Sequence, residues 1–247
     1  MTTPLASNLV IVTGGTGGIG RAICGRFLAL GADVISLDLC HGDWPDEFAA
    51  VSRLDVDLSD EAAVHACFEN ILDRQGKIDC LINNAGDYDV PRRPFWEIGL
   101  EEWQRIVGIN TDMIFLCTKA VSAAMRERES GRIVNIASNV VTFGMPNLMH
   151  YVAAKAAVIG MTRAMASELG PFGITVNAVS PGLVPTEAAR RSASQAIFDY
   201  AIQKQRLKHA LSVDDIAAAI SYFCLPESRS ITGQTLLVNG GDGFSGI

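Results

Sequence analysis

No two of the six cysteines, Cys24, Cys40, Cys67, Cys80, Cys117 and Cys224, form a C-x-x-C pair, and they make no ladder of ligand spacings. No metal site is therefore expected. Several sit in apolar patterns, where cysteine acts as a small core residue, and reduced thiols fit a cytoplasmic protein. Positive charge is also short. The 20 Lys and Arg stand against 27 Asp and Glu, a formal net charge of -7. Such a surface disfavours nucleic acid and offers no polybasic membrane patch. No uncharged apolar run is long enough to span a bilayer. Met1 to Asn8 lack a basic segment followed by an apolar one, so no signal peptide is expected. No Pro/Ser linker, charge block or repeat divides the chain, which reads as one domain over 1–247. With 49% hydrophobic and 19% charged residues, the balance is that of a globular protein.

What is present is an alternation of short β-like runs and helical stretches. Apolar runs predict strands over 9–12, 34–37, 53–56, 78–82, 132–136, 174–179 and 235–238. Helical spacing predicts helices over 18–30, 61–75, 100–128 and 150–169, with Asp60 near one N-terminus and Gly31 ending the first. Continuous apolar strands separated by helices point to a parallel sheet with right-handed crossovers. The expected fold is Rossmann-type, a doubly wound α/β sheet of about seven strands with helices on both faces.

Thr13-Gly14-Gly15-Thr16-Gly17-Gly18-Ile19-Gly20 follows the first strand and opens the first helix. Glycines there allow a tight turn and close approach of the backbone to a pyrophosphate, and the helix N-terminus favours the anion. Asp38 ends the second strand, where a carboxylate can accept hydrogen bonds from an adenosine ribose and repel a 2′-phosphate. A turn aspartate is the plainer alternative. No basic residue stands beside Asp38, so NAD is favoured over NADP.

Tyr151 and Lys155 lie four apart, on one face of a predicted helix. A free phenol has a pKa near 10, and a nearby ammonium favours the phenolate. Ser138 closes the fifth strand, at the edge facing the ligand crevice, where a hydroxyl can hold a substrate oxygen or serve as a turn residue. Asn110 sits inside a predicted helix, a position that also suits a satisfied buried amide.

These residues together resemble the short-chain dehydrogenase/reductase family over essentially the whole chain. Thr13-Gly14 with Gly18-Ile19-Gly20 matches its T-G-x-x-x-G-x-G loop, and Asn83-Asn84-Ala85-Gly86 its N-N-A-G segment. Asn110, Ser138, Tyr151 and Lys155 match its catalytic tetrad. Pro181, Gly182, Val184 and Thr186 match the segment beside the nicotinamide, Asp55-Val56 the adenine side, and Ile231-Thr232-Gly233-Gln234 the entry to the last strand. The resemblance implies that Tyr151 is acid/base and that Lys155 binds the nicotinamide ribose and lowers the tyrosine pKa. It further implies that Ser138 polarises the substrate oxygen and Asn110 holds a relay water. Two positions depart from the pattern: Asn239 stands where Asp is common, and Asn139 where a second Ser is frequent. Asn239 is expected to alter C-terminal packing or subunit contacts without affecting the chemistry, and Asn139 to line the pocket and signal a polar substrate.

The helix carrying Tyr151 is apolar on several sides, which reads as a subunit interface or a central core helix; the resemblance favours a homotetramer. The substrate pocket is expected from Asp87 to Pro94, Asn139 to Met145 and a mobile segment over 183–211. Arg190 and Arg191 in that segment read as an anion site or as a solvated helix face. The stretch from Ile136 to Lys155 resembles bacterial pyridoxal 4-dehydrogenases and its surroundings resemble aryl-alcohol dehydrogenases such as 1-phenylethanol dehydrogenase, which implies a small cyclic or aromatic alcohol or its ketone. Two other functions compete. One is a 3-oxoacyl-thioester reductase, which Asp38 disfavours because that role suits NADPH. The other is a noncatalytic dinucleotide-binding scaffold, which has no need of an intact tetrad.

Overall fold

The computed structural model describes residues 3–42, 44–87 and 90–244. The strands are β1 (Leu9–Thr13), β2 (Asp33–Asp38), β3 (Ser52–Asp55), β4 (Cys80–Asn83), β5 (Gly131–Ile136), β6 (Ile174–Pro181) and β7 (Thr235–Val238). They form one sheet in the order β3-β2-β1-β4-β5-β6-β7, every adjacent pair parallel. The helices are α1 (Gly18–Ala29), α2 (Glu61–Gln75), α3 (Leu100–Glu127), α4 (Val140–Phe143), α5 (Met149–Leu169), α6 (Glu187–Ser192), α7 (Gln195–Lys204) and α8 (Val213–Cys224).

β1 shows why its residues are apolar without alternation. Val10 and Val12 share a core with Ile23 and Phe27 of α1 and with Ile216 and Ile220 of α8. Leu9 and Ile11 belong to the opposite layer, with Phe68 of α2 and Cys117 and Val121 of α3. A strand covered on both faces needs an apolar side chain at every position, each worth about 1.5–3 kcal/mol when fully buried. Cys24, Cys80, Cys117 and Cys224 are buried free thiols within these layers.

Helix ends follow local chemistry. Asp60 caps α2, its carboxylate accepting from the Ala62 and Ala63 N–H groups at 2.9 and 3.2 Å. Leu30 caps α1, and Gly31 follows at φ 84°, the left-handed conformation that ends a helix. α3 has the length and apolar content to cross a membrane. It carries Asp112 and Lys119, and it packs against β4, β5, α2 and α5 as a layer of the fold.

Sequence order and spatial order diverge at β1. The chain builds outward through β2 and β3, then returns to place β4 on the other side of β1. The crevice beyond the carboxyl ends of β1 and β4 is therefore a topological switch point, where ligands bind in open α/β sheets.

Candidate active site

The glycine-rich loop and the segment after β4 are locked together at that crevice. Thr13 Oγ1 accepts from the Asn84 and Ala85 N–H groups, both at 3.0 Å. Asn84 Nδ2 donates to the carbonyls of Thr13 and Gly14, at 3.0 and 2.9 Å. Gly14 has φ +66°, and a Cβ there would lie 2.8 Å from Ala85 Cα. A Cβ at Gly20 would lie 2.1 Å from the Gly14 carbonyl oxygen. Only glycine lets the loop fold back on the first turn of α1. Gly17 caps α1 without a side-chain hydrogen bond, and no acidic residue occupies the first turn. The N–H groups and the positive helix end thus remain available to an anion.

Asp38 closes this end. Its carboxylate accepts from Thr16 N at 3.0 Å, Thr16 Oγ1 at 2.6 Å and Leu39 N at 2.9 Å. A carboxylate has about four acceptor positions, which leaves capacity for a ribose hydroxyl.

A cavity of about 580 Å³ runs from here along the carboxyl edge of the sheet. Every residue expected in the site lines it except Thr13, Asp55, Asn110 and Lys155. Thr13 holds the loop from behind. Asp55 is a correction: its carboxylate accepts from the His41 backbone N–H at 3.2 Å and pairs with His41 Nδ1, which holds its pKa below the usual range. His41 Nε2 lies 2.9 Å from Ser36 Oγ. Beside Val56 the cavity is lined by Asp57, Leu58 and Ser59. The same acidic–apolar pair recurs two residues on, and that repeat was the available signal.

A polar ladder braces the centre of the sheet. Asn83 Nδ2 donates to Thr118 Oγ1 at 3.1 Å and to Asn135 Oδ1 at 2.9 Å. Asn135 Nδ2 donates to Thr162 Oγ1 at 3.0 Å. β4 and β5 are thereby tied to α3 and α5, the helices that carry Asn110 and Tyr151.

At the reacting end α5 presents Tyr151 and Lys155, only 8% and 1% exposed. Lys155 Nζ lies 5.7 Å from the centroid of the Tyr151 ring and donates to the Ile136 carbonyl at 3.1 Å. Burial pushes the lysine pKa down to about 8. Asn110 donates through Nδ2 to the Ile106 carbonyl at 2.9 Å, while its buried Oδ1 meets no donor among the described residues. A Cβ on Gly86 would lie 2.9 Å from Asn110 Oδ1 and 3.5 Å from Lys155 Nζ, so the bare glycine backbone brings both groups together. Ser138 stands two residues past β5, half-buried, its Oγ 3.5 Å from Val140 N. Sequence reasoning missed His150. Its Nδ1 accepts from Tyr151 N at 2.9 Å and its Nε2 faces Glu102 Oε1 at 3.2 Å, fixing the start of α5.

The expected substrate side is partly rearranged. Tyr88 and Asp89 lie outside the described residues. The 183–211 segment folds as α6 and α7, with Thr186 Oγ1 accepting from Ala189 N to cap α6. Ile197, Tyr200 and Lys204 of α7 line the cavity, as do Phe143, Met145 and Arg92. Arg190 and Arg191 do not. Arg190 stacks 5.5 Å from the Phe198 ring centroid, and Arg191 pairs with Glu187 at 3.5 Å on the exposed surface of α6. Asn139 does line the cavity, but its amide is engaged by protein groups, which removes it as a sign of a polar substrate.

Residues 14–242 match the family model described as Enoyl-(Acyl carrier protein) reductase. A 3-oxoacyl-[acyl-carrier-protein] reductase of Synechocystis sp. is 34% identical over 97% of this chain and 98% of that protein. A probable galactose dehydrogenase of Rhizobium meliloti is 32% identical over 94% of this chain and 93% of that one. Among solved structures, levodione reductase superposes with a TM-score of 0.90 at 31% identity, covering 96% of this chain and 98% of its own. NAD+-bound xylitol dehydrogenase gives 0.89 at 28%, covering 96% and 99%. With the glycine loop at the switch point and this match along the chain, the protein is a short-chain dehydrogenase/reductase, an oxidoreductase of a family that uses nicotinamide cofactors.

Proposed function

We propose that this enzyme transfers hydride between NAD(H) and a small alcohol or its ketone, with cyclic and aromatic secondary alcohols as the substrate class. The observation that carries the cofactor choice is the pair of carboxylates on the cavity wall, Asp38 at the end of β2 and Asp57 just past the end of β3. The cavity's Arg and Lys, Arg92 and Lys204, come from the loop after β4 and from α7. A 2′-phosphate would meet like charge and no compensating cation.

Tyr151 takes the proton from the alcohol, or returns it to the ketone. The Lys155 ammonium favours the phenolate and would hydrogen-bond the nicotinamide ribose. Ser138 Oγ holds the substrate oxygen. Asn110 Oδ1 accepts from a water that relays the proton outward. The hydride chemistry, in either direction, would be supplied by a nicotinamide cofactor when bound. The free N–H groups of α1 would hold the pyrophosphate, and Pro181, Gly182, Val184 and Thr186 would flank the nicotinamide. Protein groups thus supply acid/base and positioning chemistry around the cofactor.

Residues 1–247 act as one unit, with 183–211 as the substrate loop. The working form is a cytoplasmic homotetramer, its association supported by the exposed small side of α5 at Ala156, Ala157, Gly160 and Ala164. Sedimentation at the monomer mass would contradict it.

A second reading has its own support. Relatives at 34–35% identity are named 3-oxoacyl-[acyl-carrier-protein] reductases, and Arg92 and Lys204 on the cavity wall suit an acyl thioester with an anionic carrier. The deciding assay compares 1-phenylethanol with NAD+ against acetoacetyl-CoA with NADH and NADPH. Turnover of the alcohol supports the first reading. Turnover of the thioester alone, with NADPH, replaces it with the second.

A further inference from the structure

Two asparagines on distant segments meet behind the reacting end. Asn139 directly follows Ser138, and Asn239 directly follows β7. Asn239 Nδ2 donates to Asn139 Oδ1 at 3.0 Å across 100 residues of sequence, and the two side chains are buried. The same Nδ2 reaches the Asp242 and Gly243 carbonyls at 3.2 and 3.1 Å, while Asn239 Oδ1 accepts from Gly241 N at 2.9 Å. Asn139 completes the pattern. Its Nδ2 donates to the Asp242 carbonyl at 3.0 Å, and its Oδ1 also accepts from Thr142 Oγ1 at 3.1 Å. Its backbone N–H donates to the Pro181 carbonyl at 2.9 Å.

Three acceptor oxygens converge on the Asn239 NH2 group, so a carboxylate at 239 would keep the Gly241 N–H on one oxygen and set the other against those three acceptors. The segments tied together all reach the cavity, through Ser138, Pro181, Gly182 and Asp242. Gly182 is pressed against Asn239: a Cβ there would lie 3.1 Å from Asn239 Cα.

We propose that Asn139 and Asn239 form an amide clamp that sets Ser138 and the Pro181–Gly182 segment against each other, and that Asn239 is a positioning residue for nicotinamide binding although it lines no part of the cavity. The proposal rests on the reading of Pro181 and Gly182 as the nicotinamide side. It makes the turn at 239–243 a wall of the site, held by two amides whose polar atoms are taken up by protein. Their complementarity is specific. An aspartate at 239 sets acceptor against Asn139 Oδ1 and breaks the hydrogen bond, whereas a serine hydroxyl at 139 accepts from Asn239 or donates to an aspartate, so the second exchange restores what the first one breaks.

The test uses Asn239→Asp, Asn139→Ser and the double variant, with circular dichroism to establish folding. NADH binding is followed by nucleotide fluorescence, and amide hydrogen exchange over 138–145 is measured without nucleotide. Asn239→Asp is expected to weaken NADH about tenfold and to speed exchange over 138–145 by a similar factor. The double variant is expected to recover most of both losses. If Asn239→Asp does not fold, Asn239→Ala, which removes the donor and the acceptor together, is expected to weaken NADH and speed exchange over 138–145 by similar factors. Unchanged NADH binding in every folded single variant would overturn the proposal. So would a double variant no better than the two losses combined. Failure of the wild-type protein to bind NADH would instead overturn the functional reading and the positioning role with it, and exchange over 138–145 would then report only whether the amide pair ties the segments.

Discussion

Lys155 Nζ sits 5.7 Å from the centre of the Tyr151 ring and is anchored 3.1 Å from the Ile136 carbonyl. A cation is thus held beside the phenol by the backbone of the central sheet. The cost of that placement is the desolvation of a buried ammonium.

That cost is measurable. An unfolded chain keeps this proton to the ordinary lysine value of 10.5, whereas the native protein releases it near pH 8. Between those values the unfolded state binds more protons, so native stability rises with pH, and the penalty is complete below pH 8. Lys155→Met should stabilise the nucleotide-free protein at pH 7 by about 2 kcal/mol, with the lost hydrogen bond to Ile136 offsetting part of the gain. The advantage should shrink from pH 8 upward and vanish above pH 10.5. Urea unfolding at pH 7 and pH 10 checks this; a variant less stable than wild type at pH 7 contradicts it.

Tyr151→Phe removes one oxygen from a buried ring and keeps its packing. Turnover should fall by about 10²–10⁴-fold, the usual worth of a positioned acid/base. NADH affinity should stay within about twofold, since less than the worth of one hydrogen bond is at stake there. Full activity in the variant would take Tyr151 out of the mechanism and reopen the scaffold reading.

Gly20→Ala tests the loop. The added methyl carbon would lie 2.1 Å from the Gly14 carbonyl oxygen and 2.7 Å from Gly15 Cα, both backbone atoms. The loop must shift, at about 1–3 kcal/mol by analogy with overpacked cores. Thermal unfolding should show a lower midpoint and NADH binding should weaken by tenfold or more. Undiminished NADH affinity would mean that the loop does not hold the cofactor.

The central strands were legible because burial on both faces leaves an apolar signature that needs no partner to interpret. The glycine loop and the Tyr151–Lys155 spacing were legible because each is local. The register after β3 was not. Asp55 and Asp57 look alike in sequence, and only the turn that hands Asp55 to His41 separates them. The ladder from Asn83 through Asn135 to Thr162 and the clamp from Asn139 to Asn239 join residues far apart in the chain. An isolated asparagine in a strand or turn does not reveal which distant group will satisfy its amide. Arg190 and Arg191 drew attention by charge alone, and their surroundings, an aromatic ring and a surface glutamate, are set by how α6 and α7 fold.

The central claim is that Asp38 makes this an NAD(H) enzyme, and titration of the purified protein with NADH and NADPH, followed by nucleotide fluorescence, tests it most directly. NADH should bind at least about tenfold more tightly, and Asp38→Asn should narrow the gap chiefly by improving NADPH. Equal or tighter binding of NADPH by the wild-type protein would contradict the account and make the reductive thioester reading the better one.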